Sequence, residues 1–171
     1  MASSAVIRPE RPPDVAAVRE IHRLAFPADA EARLVDALRA GGHALVSLVA
    51  DRKGEVLGHV LFSRVILEPP GPVGAGLAPL AVHPSWQRRG IGGALVREGL
   101  SACAAVGVAF VVVLGDPAYY GRFGFRRASA RGLGNEYGAD AAFGVAELTP
   151  GALTGGPALV RYLPEFARAG A

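Results

Sequence analysis

The sequence predicts an α/β fold with a mixed β-sheet flanked by helices. Two apolar segments, residues 44–50 and 55–67, are separated by a hairpin-type turn, which indicates an antiparallel pair of strands. Further along, apolar strands at residues 77–82 and 108–114 are separated by a helical segment, the connection typical of parallel strands. A chain of 171 residues, 51% of them hydrophobic, is expected to form one domain over residues 1–171.

The first half of the chain is predicted to contain a strand, two helices and the hairpin. Residues 6–8 form a short strand that prolines end, and Asp14 then has the character of a helix N-cap. Apolar residues recur at helical spacing over residues 15–25. A second helix is expected over residues 29–40, ended by a pair of glycines, and residues 51–54 form the turn of the hairpin.

The second half alternates helical and extended segments. Residues 91–106 form an amphipathic helix, and the continuous β-branched run at residues 108–114 predicts a central parallel strand. Glycine and proline then interrupt the chain, and residues 118–122 form a short helical turn. Two further strands are expected over residues 142–148 and 159–162.

The loop between the strand at residues 77–82 and the helix at residues 91–106 is suited to an anion. Residues 87–93 supply two arginines and three glycines at the start of that helix. A helix N-terminus has unpaired N–H groups and a partial positive charge, and glycine lets an oxygen approach the backbone closely. Arg88 and Arg89 add charge-assisted hydrogen bonds. The loop therefore predicts a compact polyanion such as a diphosphate.

Two other phosphate-binding loops do not fit this segment. A P-loop needs a lysine after its second glycine, and the only lysine of the chain is Lys53. A dinucleotide fingerprint needs a third glycine three residues after Gly92, where the chain has Leu95. The anion is expected to be held in another way.

Residues 87–92 match a known motif at every fixed position. They resemble Gln/Arg-x-x-Gly-x-Gly/Ala, the cofactor-binding motif of the GNAT superfamily of N-acetyltransferases, after a strand that ends in Val-x-Pro at residues 82–84. Residues 119–125 contain a second landmark, which looks like the family's Tyr-x-x-x-Gly-Phe. Three further segments resemble a bacterial subgroup of predicted acetyltransferases of undefined substrate: residues 114–120, 137–148 and 160–166.

The resemblance implies a fold and an activity. The family's sheet is twisted, mostly antiparallel and splayed open, here between the strands at residues 77–82 and 108–114. The activity is direct transfer of an acetyl group from acetyl-coenzyme A to a primary amine, on a small molecule or on a peptide or protein, in a ternary complex. Transfer of a different acyl group stays open, as does a coenzyme A-binding regulatory or sensor protein without turnover.

The resemblance also assigns contacts to the cofactor. The loop would hold the diphosphate, and the backbone of residues 80–82 would pair with the pantetheine arm as another strand does. Many members carry an asparagine where this chain has Val113, so that contact is either missing or supplied by Asp116 or by backbone. The cofactor-binding residues expected in this way are Leu80, Ala81, Val82, Gln87, Arg88, Arg89, Gly90, Ile91, Gly92, Gly93, Asp116, Tyr119 and Tyr120.

Three residues are candidates for acid–base catalysis. Tyr120 lies four residues before Gly124, at the position of the family's general acid, and a phenol with a pKa of about 10 is protonated at neutral pH. The alternative is that one of the two adjacent tyrosines only packs beneath the cofactor. Glu31 and Glu136 are the candidate bases, and for each the alternative is a solvated surface carboxylate.

Composition excludes several other classes of protein. The four histidines and the single cysteine, Cys103, have no metal-ligand spacing, and the scattered arginines lack the interleaved aromatics of a nucleic-acid surface. No apolar run is long enough for a membrane span. Residues 1–8 lack the features of a secretory signal, so a cytoplasmic protein is expected. Similar proteins often dimerise through C-terminal strands, which leaves a homodimer open.

Overall fold

The computed structural model of the chain describes residues 5–170, so residues 1–4 of the segment examined for a secretory signal lie outside it. The strands are β1 (Val6–Pro9), β2 (Ala44–Arg52), β3 (Glu55–Glu68), β4 (Gly74–Val82), β5 (Phe110–Leu114), β6 (Arg126–Arg127), β7 (Leu133–Asn135), β8 (Phe143–Glu147) and β9 (Ala158–Arg161). The α-helices are α1 (Val15–Ala25), α2 (Ala30–Ala40), α3 (Ile91–Ala105), α4 (Pro117–Tyr120) and α5 (Pro164–Ala169). Within these residues no helix has both the length and the apolar character that crossing a bilayer demands.

The strands form one mixed, mostly antiparallel sheet, as predicted. Its main order is β1-β2-β3-β4-β5-β8-β6. Strand β9 pairs with residues 66–68, at the C-terminal end of β3, and also with β7. Only the β4–β5 and β7–β9 pairs are parallel among the described strands. Helices α1, α2 and α5 pack into one buried cluster and α3 into the other, so helices cover both faces of the sheet.

The sheet opens between β4 and β5, where the resemblance predicted a splay. The parallel ladder joins residues 74–76 of β4 to residues 110–112 of β5 and goes no further. Beyond it, residues 77–82 pair only with β3, and residues 113–114 pair only with β8. One edge of β4 is therefore left without a neighbouring strand, and its backbone groups are available to a ligand.

A glycine permits the close approach of β4 and β5 at the start of the parallel ladder. A Cβ atom on Gly74 would lie 2.2 Å from the ring of Phe110, which is fully buried. This strand was predicted to begin at residue 77, because Gly76 bounds the apolar run. The structure extends the strand over residues 74–76 because they are buried between β3 and β5.

Several other details differ from the sequence-based expectations. Asp14 does not cap α1 through its side chain; its carboxylate accepts a hydrogen bond from the N–H of Arg11 at 2.7 Å and pairs with Arg8. It therefore closes the short turn that precedes the helix. Strands β6 and β7 and helix α5 were not predicted, because elements of two to six residues are too short to show a hydrophobic period.

Candidate active site

A cleft of about 610 Å³ opens at the N-terminus of α3, along the unpaired edge of β4. We call it the β4–α3 cleft. Residues of the strand, the loop, the helix and the turn after β5 line it: Leu80, Val82, Gln87, Arg88, Gly90, Gly92, Gly93, Arg97, Tyr119 and Arg122. Eight of the thirteen residues predicted to bind the cofactor thus line this one cleft, together with two arginines that were not predicted.

The loop that starts α3 has the backbone geometry of an anion site. Gly90, at the helix N-cap, has a φ of 86°, and Arg88 has a φ of 61°, so the chain turns sharply here. The first helical hydrogen bond runs from the N–H of Ala94 to the carbonyl of Gly90. The N–H groups of residues 91–93 therefore have no partner inside the helix and are available to an anion.

Side chains fix this loop against its surroundings. The amide of Gln87 donates a hydrogen bond to the carbonyl of Val82 at 3.0 Å, which ties the loop to the end of β4. A Cβ atom on Gly92 would lie 2.8 Å from the hydroxyl of Tyr119, so glycine leaves room for that tyrosine on the cleft wall. The loop, the end of the strand and the tyrosine form one connected surface.

The two adjacent arginines of the loop have different surroundings. Arg88 lines the β4–α3 cleft, whereas the guanidinium of Arg89 lies 4.8 Å from the ring centre of Trp86, outside the cleft wall. Arg52 lies over the same ring at 4.9 Å, so Trp86 holds a cation–π contact with each. Of the predicted arginine pair, the structure brings only Arg88 to the cleft.

Two further arginines supply positive charge to the cleft. The guanidinium of Arg97 lies 4.9 Å from the ring centre of Phe123, and that of Arg122 lies 4.7 Å from the ring centre of Tyr119. Sequence reasoning missed both. The signal for Arg97 is its position one helical turn after Gly93, and the signal for Arg122 is its place inside the Tyr-x-x-x-Gly-Phe landmark.

The other predicted cofactor contacts have different positions. Asp116 accepts a hydrogen bond from the N–H of Ala118 at 2.9 Å and caps α4, and its side chain is not on the cleft wall. Ala81 and Ile91 are buried, and neither lines the cleft. Tyr120 lines a second cavity instead of the cleft.

This second cavity, of about 300 Å³, lies beside the cleft and shares Leu80 with it. We call it the aromatic pocket. Its lining residues are Phe26, Glu31, Leu34, Leu77, Ala78, Pro79, Leu80, Leu114, Tyr120, Tyr137, Tyr162 and Phe166. Tyr119 of the cleft and Tyr120 of the pocket meet edge to face, with ring centres 4.9 Å apart. The two cavities therefore meet at Leu80 and the tyrosine pair.

Tyr120 is held as a neutral phenol at this junction. Burial, and to a smaller degree the neighbouring Tyr119, raise the pKa of Tyr120 to about 12. Its ring packs against Phe125, and Gly115 makes room for it, because a Cβ atom there would lie 2.5 Å from the Tyr120 ring. A protonated phenol on the wall of the aromatic pocket, next to Tyr119 of the cleft, is suited to donate a proton.

The two candidate bases are separated by the structure. Glu31, in the first turn of α2, lines the aromatic pocket. Glu136 does not: its carboxylate accepts a hydrogen bond from the N–H of Tyr162 at 2.8 Å and lies 3.8 Å from Arg161. Glu136 thus has a structural partner, and Glu31 is the carboxylate that the fold brings to the pocket.

A chain of buried polar side chains lies behind the pocket wall. Ser47 bonds to Glu10 at 2.6 Å and to Nε2 of His59 at 2.8 Å, and Nδ1 of His59 lies 2.8 Å from Nε2 of His22. Because an ionised carboxylate only accepts, Ser47 donates to Glu10, His59 to Ser47 and His22 to His59. Nδ1 of His22 is left with a free lone pair, and the ring stacks on Phe26 of the pocket.

This histidine pair makes the fold sensitive to mild acid. Burial lowers the pKa of His22 to about 3 and also lowers that of His59. In the unfolded chain both histidines bind protons below about pH 6.5, whereas the folded protein keeps them neutral. Stability is therefore present above pH 6.5 and is lost as the pH falls, by on the order of 1 kcal/mol per pH unit for each histidine.

Urea unfolding between pH 7 and pH 5 measures this loss. Protonation of Glu10 adds little to the change in stability over this pH range. The pKa of Glu10 is lowered to about 2 in the folded protein, and in the unfolded chain its carboxylate binds protons only near pH 4.5 and below. His22→Gln keeps a donor towards His59 and is expected to have about half the pH slope of the parent. His83→Gln, outside the buried core, is expected to retain the full slope. Equal slopes for all three proteins would contradict the assignment.

The fold and the site define an acyltransferase of the GNAT class. Residues 15–125 match the family described as Acetyltransferase (GNAT) family, and the chain belongs to that family. It is similar to the uncharacterized N-acetyltransferase YhbS of Escherichia coli (strain K12), with 41% identity over 165 residues, 95% of this chain and 99% of that protein. Another relative, the uncharacterized N-acetyltransferase YjhQ of the same strain, is 40% identical over 116 residues, 66% of this chain and 64% of YjhQ.

Two solved structures have the same architecture and contain CoA or acetyl-CoA. The crystal structure of YhbS from Escherichia coli in complex with CoA has a TM-score of 0.93 and 40% identity, covering 98% of this chain and 94% of that one. A GNAT family acetyltransferase from Brucella melitensis in complex with acetyl-CoA has a TM-score of 0.80 and 35% identity, covering 96% and 99%. The predicted family, its fold and its class of enzyme are thereby confirmed.

Proposed function

We propose that the chain transfers an acetyl group from acetyl-coenzyme A directly to a primary amine while both are bound. The observation that carries this proposal is the pair of adjoining cavities. The β4–α3 cleft and the aromatic pocket meet at Leu80 and the tyrosine pair, so a donor in one and an acceptor in the other can react without a covalent enzyme intermediate.

The cleft fits the donor in charge and in shape. The N–H groups at the start of α3 and the guanidinium of Arg88 are matched to a diphosphate. The unpaired edge of β4 is matched to the amides of a pantetheine arm, which would add to the sheet as a strand does. A backbone N–H near Ala81 would then stabilise the negative charge that develops on the thioester oxygen.

The pocket residues supply the proton transfers. Glu31 accepts a proton from the ammonium form of the acceptor, directly or through water, which frees the nitrogen lone pair. The nitrogen attacks the thioester carbon, a C–N bond forms and the C–S bond breaks, and the nitrogen releases its second proton to water, which leaves a neutral amide. The departing thiolate takes its proton from the hydroxyl of Tyr120, and the resulting phenolate regains a proton from solvent.

Release of free thiol in the presence of acetyl-coenzyme A and a panel of amines tests this function. We expect release that depends on the amine, and we expect Glu31→Gln to lower it by about 10²-fold or more. Glu20→Gln changes an exposed carboxylate of α1 and is the matched control with parental rates. Tight cofactor binding without amine-dependent release would instead support a sensor, and loss of activity in Glu136→Gln alone would overturn the assignment of Glu31.

A further inference from the structure

We propose that the acceptor is a monoamine in which a single ammonium group is carried on one compact apolar or aromatic group. This inference rests on the proposed acetyl transfer and names the class of substrate that the aromatic pocket takes. It follows from the chemistry of the pocket walls, their rigidity and the number of charges they hold.

The walls are mostly apolar, and their polar side-chain groups are three tyrosine hydroxyls and one carboxylate. Of the twelve residues that line the pocket, five are aromatic and six are aliphatic, and the remaining one is Glu31. An apolar group that enters such a pocket gains free energy in proportion to the area it removes from water. A polar or hydrated group would lose hydrogen bonds to water and find few replacements on these walls.

The aromatic wall is held in place before any ligand arrives. The rings of Tyr137 and Tyr162 stack with centres 5.7 Å apart, and Tyr162 meets Phe166 at 5.2 Å. The backbone of Tyr162 is fixed by its hydrogen bond to Glu136, and the N–H of Tyr137 bonds to the buried side chain of Asn135 at 2.9 Å. A rigid aromatic surface favours a flat or compact apolar group, because little ordering is needed on binding.

The charge of the pocket limits the charge of its ligand. Glu31 can pair with one ammonium, and the aromatic faces add further attraction for a cation. A second ammonium, as in a polyamine, would be buried without a partner. A carboxylate, as in a free amino acid, would meet no arginine or lysine on the pocket walls and would be repelled by Glu31.

The aromatic pocket is too small to bury a long acceptor completely. At about 300 Å³ the pocket is at the lower end of the sizes usual for small-molecule sites, roughly 300–1,000 Å³. One ring or a short alkyl chain fills such a space. The pocket is therefore better matched to a free small amine than to an extended peptide.

Two matched pairs of amines test whether a second charged group on the acceptor lowers the rate of transfer. In thiol-release assays we expect 2-phenylethylamine to exceed L-phenylalanine, which adds a carboxylate, by roughly 30-fold or more in kcat/KM. We expect hexylamine to exceed 1,6-diaminohexane, which adds a second ammonium, by a similar factor. Faster transfer to the amino acid, the diamine or the N-terminus of a short peptide would overturn the inference while leaving acetyl transfer intact.

A change of charge at the pocket rim tests the location. Leu114 lines the pocket and is 41% exposed, so an arginine there can be accommodated. We expect Leu114→Arg to raise kcat/KM for L-phenylalanine relative to 2-phenylethylamine, and Leu114→Met to leave the ratio unchanged. An unchanged ratio in both variants would place the acceptor elsewhere.

A binding measurement separates this inference from the proposed function. If no amine releases thiol, acetyl transfer fails, but calorimetry with the same amine pairs still reports the selectivity of the pocket. Preferential binding of 2-phenylethylamine over L-phenylalanine, lost in Glu31→Gln, supports the ligand class by itself. Equal binding of the two, or tighter binding of the amino acid, overturns it.

Discussion

Replacing Tyr120 with phenylalanine is expected to lower kcat by about 10²–10⁴-fold while the Kd for acetyl-coenzyme A stays within about twofold of the parent. The phenol borders the aromatic pocket, and burial and Tyr119 raise its pKa to about 12, so it is protonated at neutral pH. Removing only the hydroxyl keeps the ring against Phe125 and preserves the fold. The lost proton donor therefore affects the chemical step and not cofactor binding.

Single-turnover measurements on both tyrosine variants check this prediction. Tyr119 lines the β4–α3 cleft, so Tyr119→Phe is expected to raise the Kd for acetyl-coenzyme A more than it lowers kcat. A parental kcat in Tyr120→Phe, together with a large loss of kcat in Tyr119→Phe, would show that Tyr119 and not Tyr120 is the general acid. Equal small effects in both would leave neither as the acid and would point to a water molecule.

Replacing Arg88 with alanine is expected to raise the Kd for acetyl-coenzyme A by roughly 10–100-fold, the usual effect of one lost charge-assisted hydrogen bond. Arg88 lines the cleft beside the free N–H groups of α3, whereas Arg89 contacts Trp86. The adjacent variant Arg89→Ala is therefore a matched control, with an expected change below about threefold. Each substitution removes one positive charge, so a difference between the two variants reports the position of the arginine and not the change in net charge.

Isothermal titration with acetyl-coenzyme A at two salt concentrations measures both variants. The difference between the parent and Arg88→Ala is expected to shrink at high salt, since exposed charges are screened. Equal effects of the two substitutions would indicate long-range attraction without a specific contact. An unchanged Kd in Arg88→Ala would contradict the placement of the diphosphate.

Local patterns made the donor side of the site predictable. A strand, a turn with glycines and a helix N-terminus are adjacent in sequence over residues 77–106, so their chemistry can be recognised without knowing the rest of the fold. The hairpin of β2 and β3 was predictable for the same reason, because the turn at residues 51–54 directly joins two apolar segments; the structure has positive φ there at Lys53 and Gly54. The splay came from the family resemblance and not from spacing.

The acceptor side could not be predicted in this way. Its walls come from α1, α2, β4, β5 and the C-terminal segment, and periodicity shows which face of an element is buried but not which segments meet. Glu31 and Glu136 were equivalent candidates in the sequence, and the structure distinguishes them because Glu31 lines the pocket while Glu136 accepts a hydrogen bond from Tyr162. Asp116 was predicted as a cofactor contact, and its hydrogen bond from the N–H of Ala118 shows that it caps α4.

The two cavities meet at one leucine and a pair of tyrosines, and outside β4 the remainder of their walls comes from different segments of the chain. Mutations around the aromatic pocket can therefore accumulate without weakening the binding of acetyl-coenzyme A. Descendants of one ancestral protein could exchange one acceptor for another and inherit the donor unchanged. Such independence gives a single scaffold a route to many specificities.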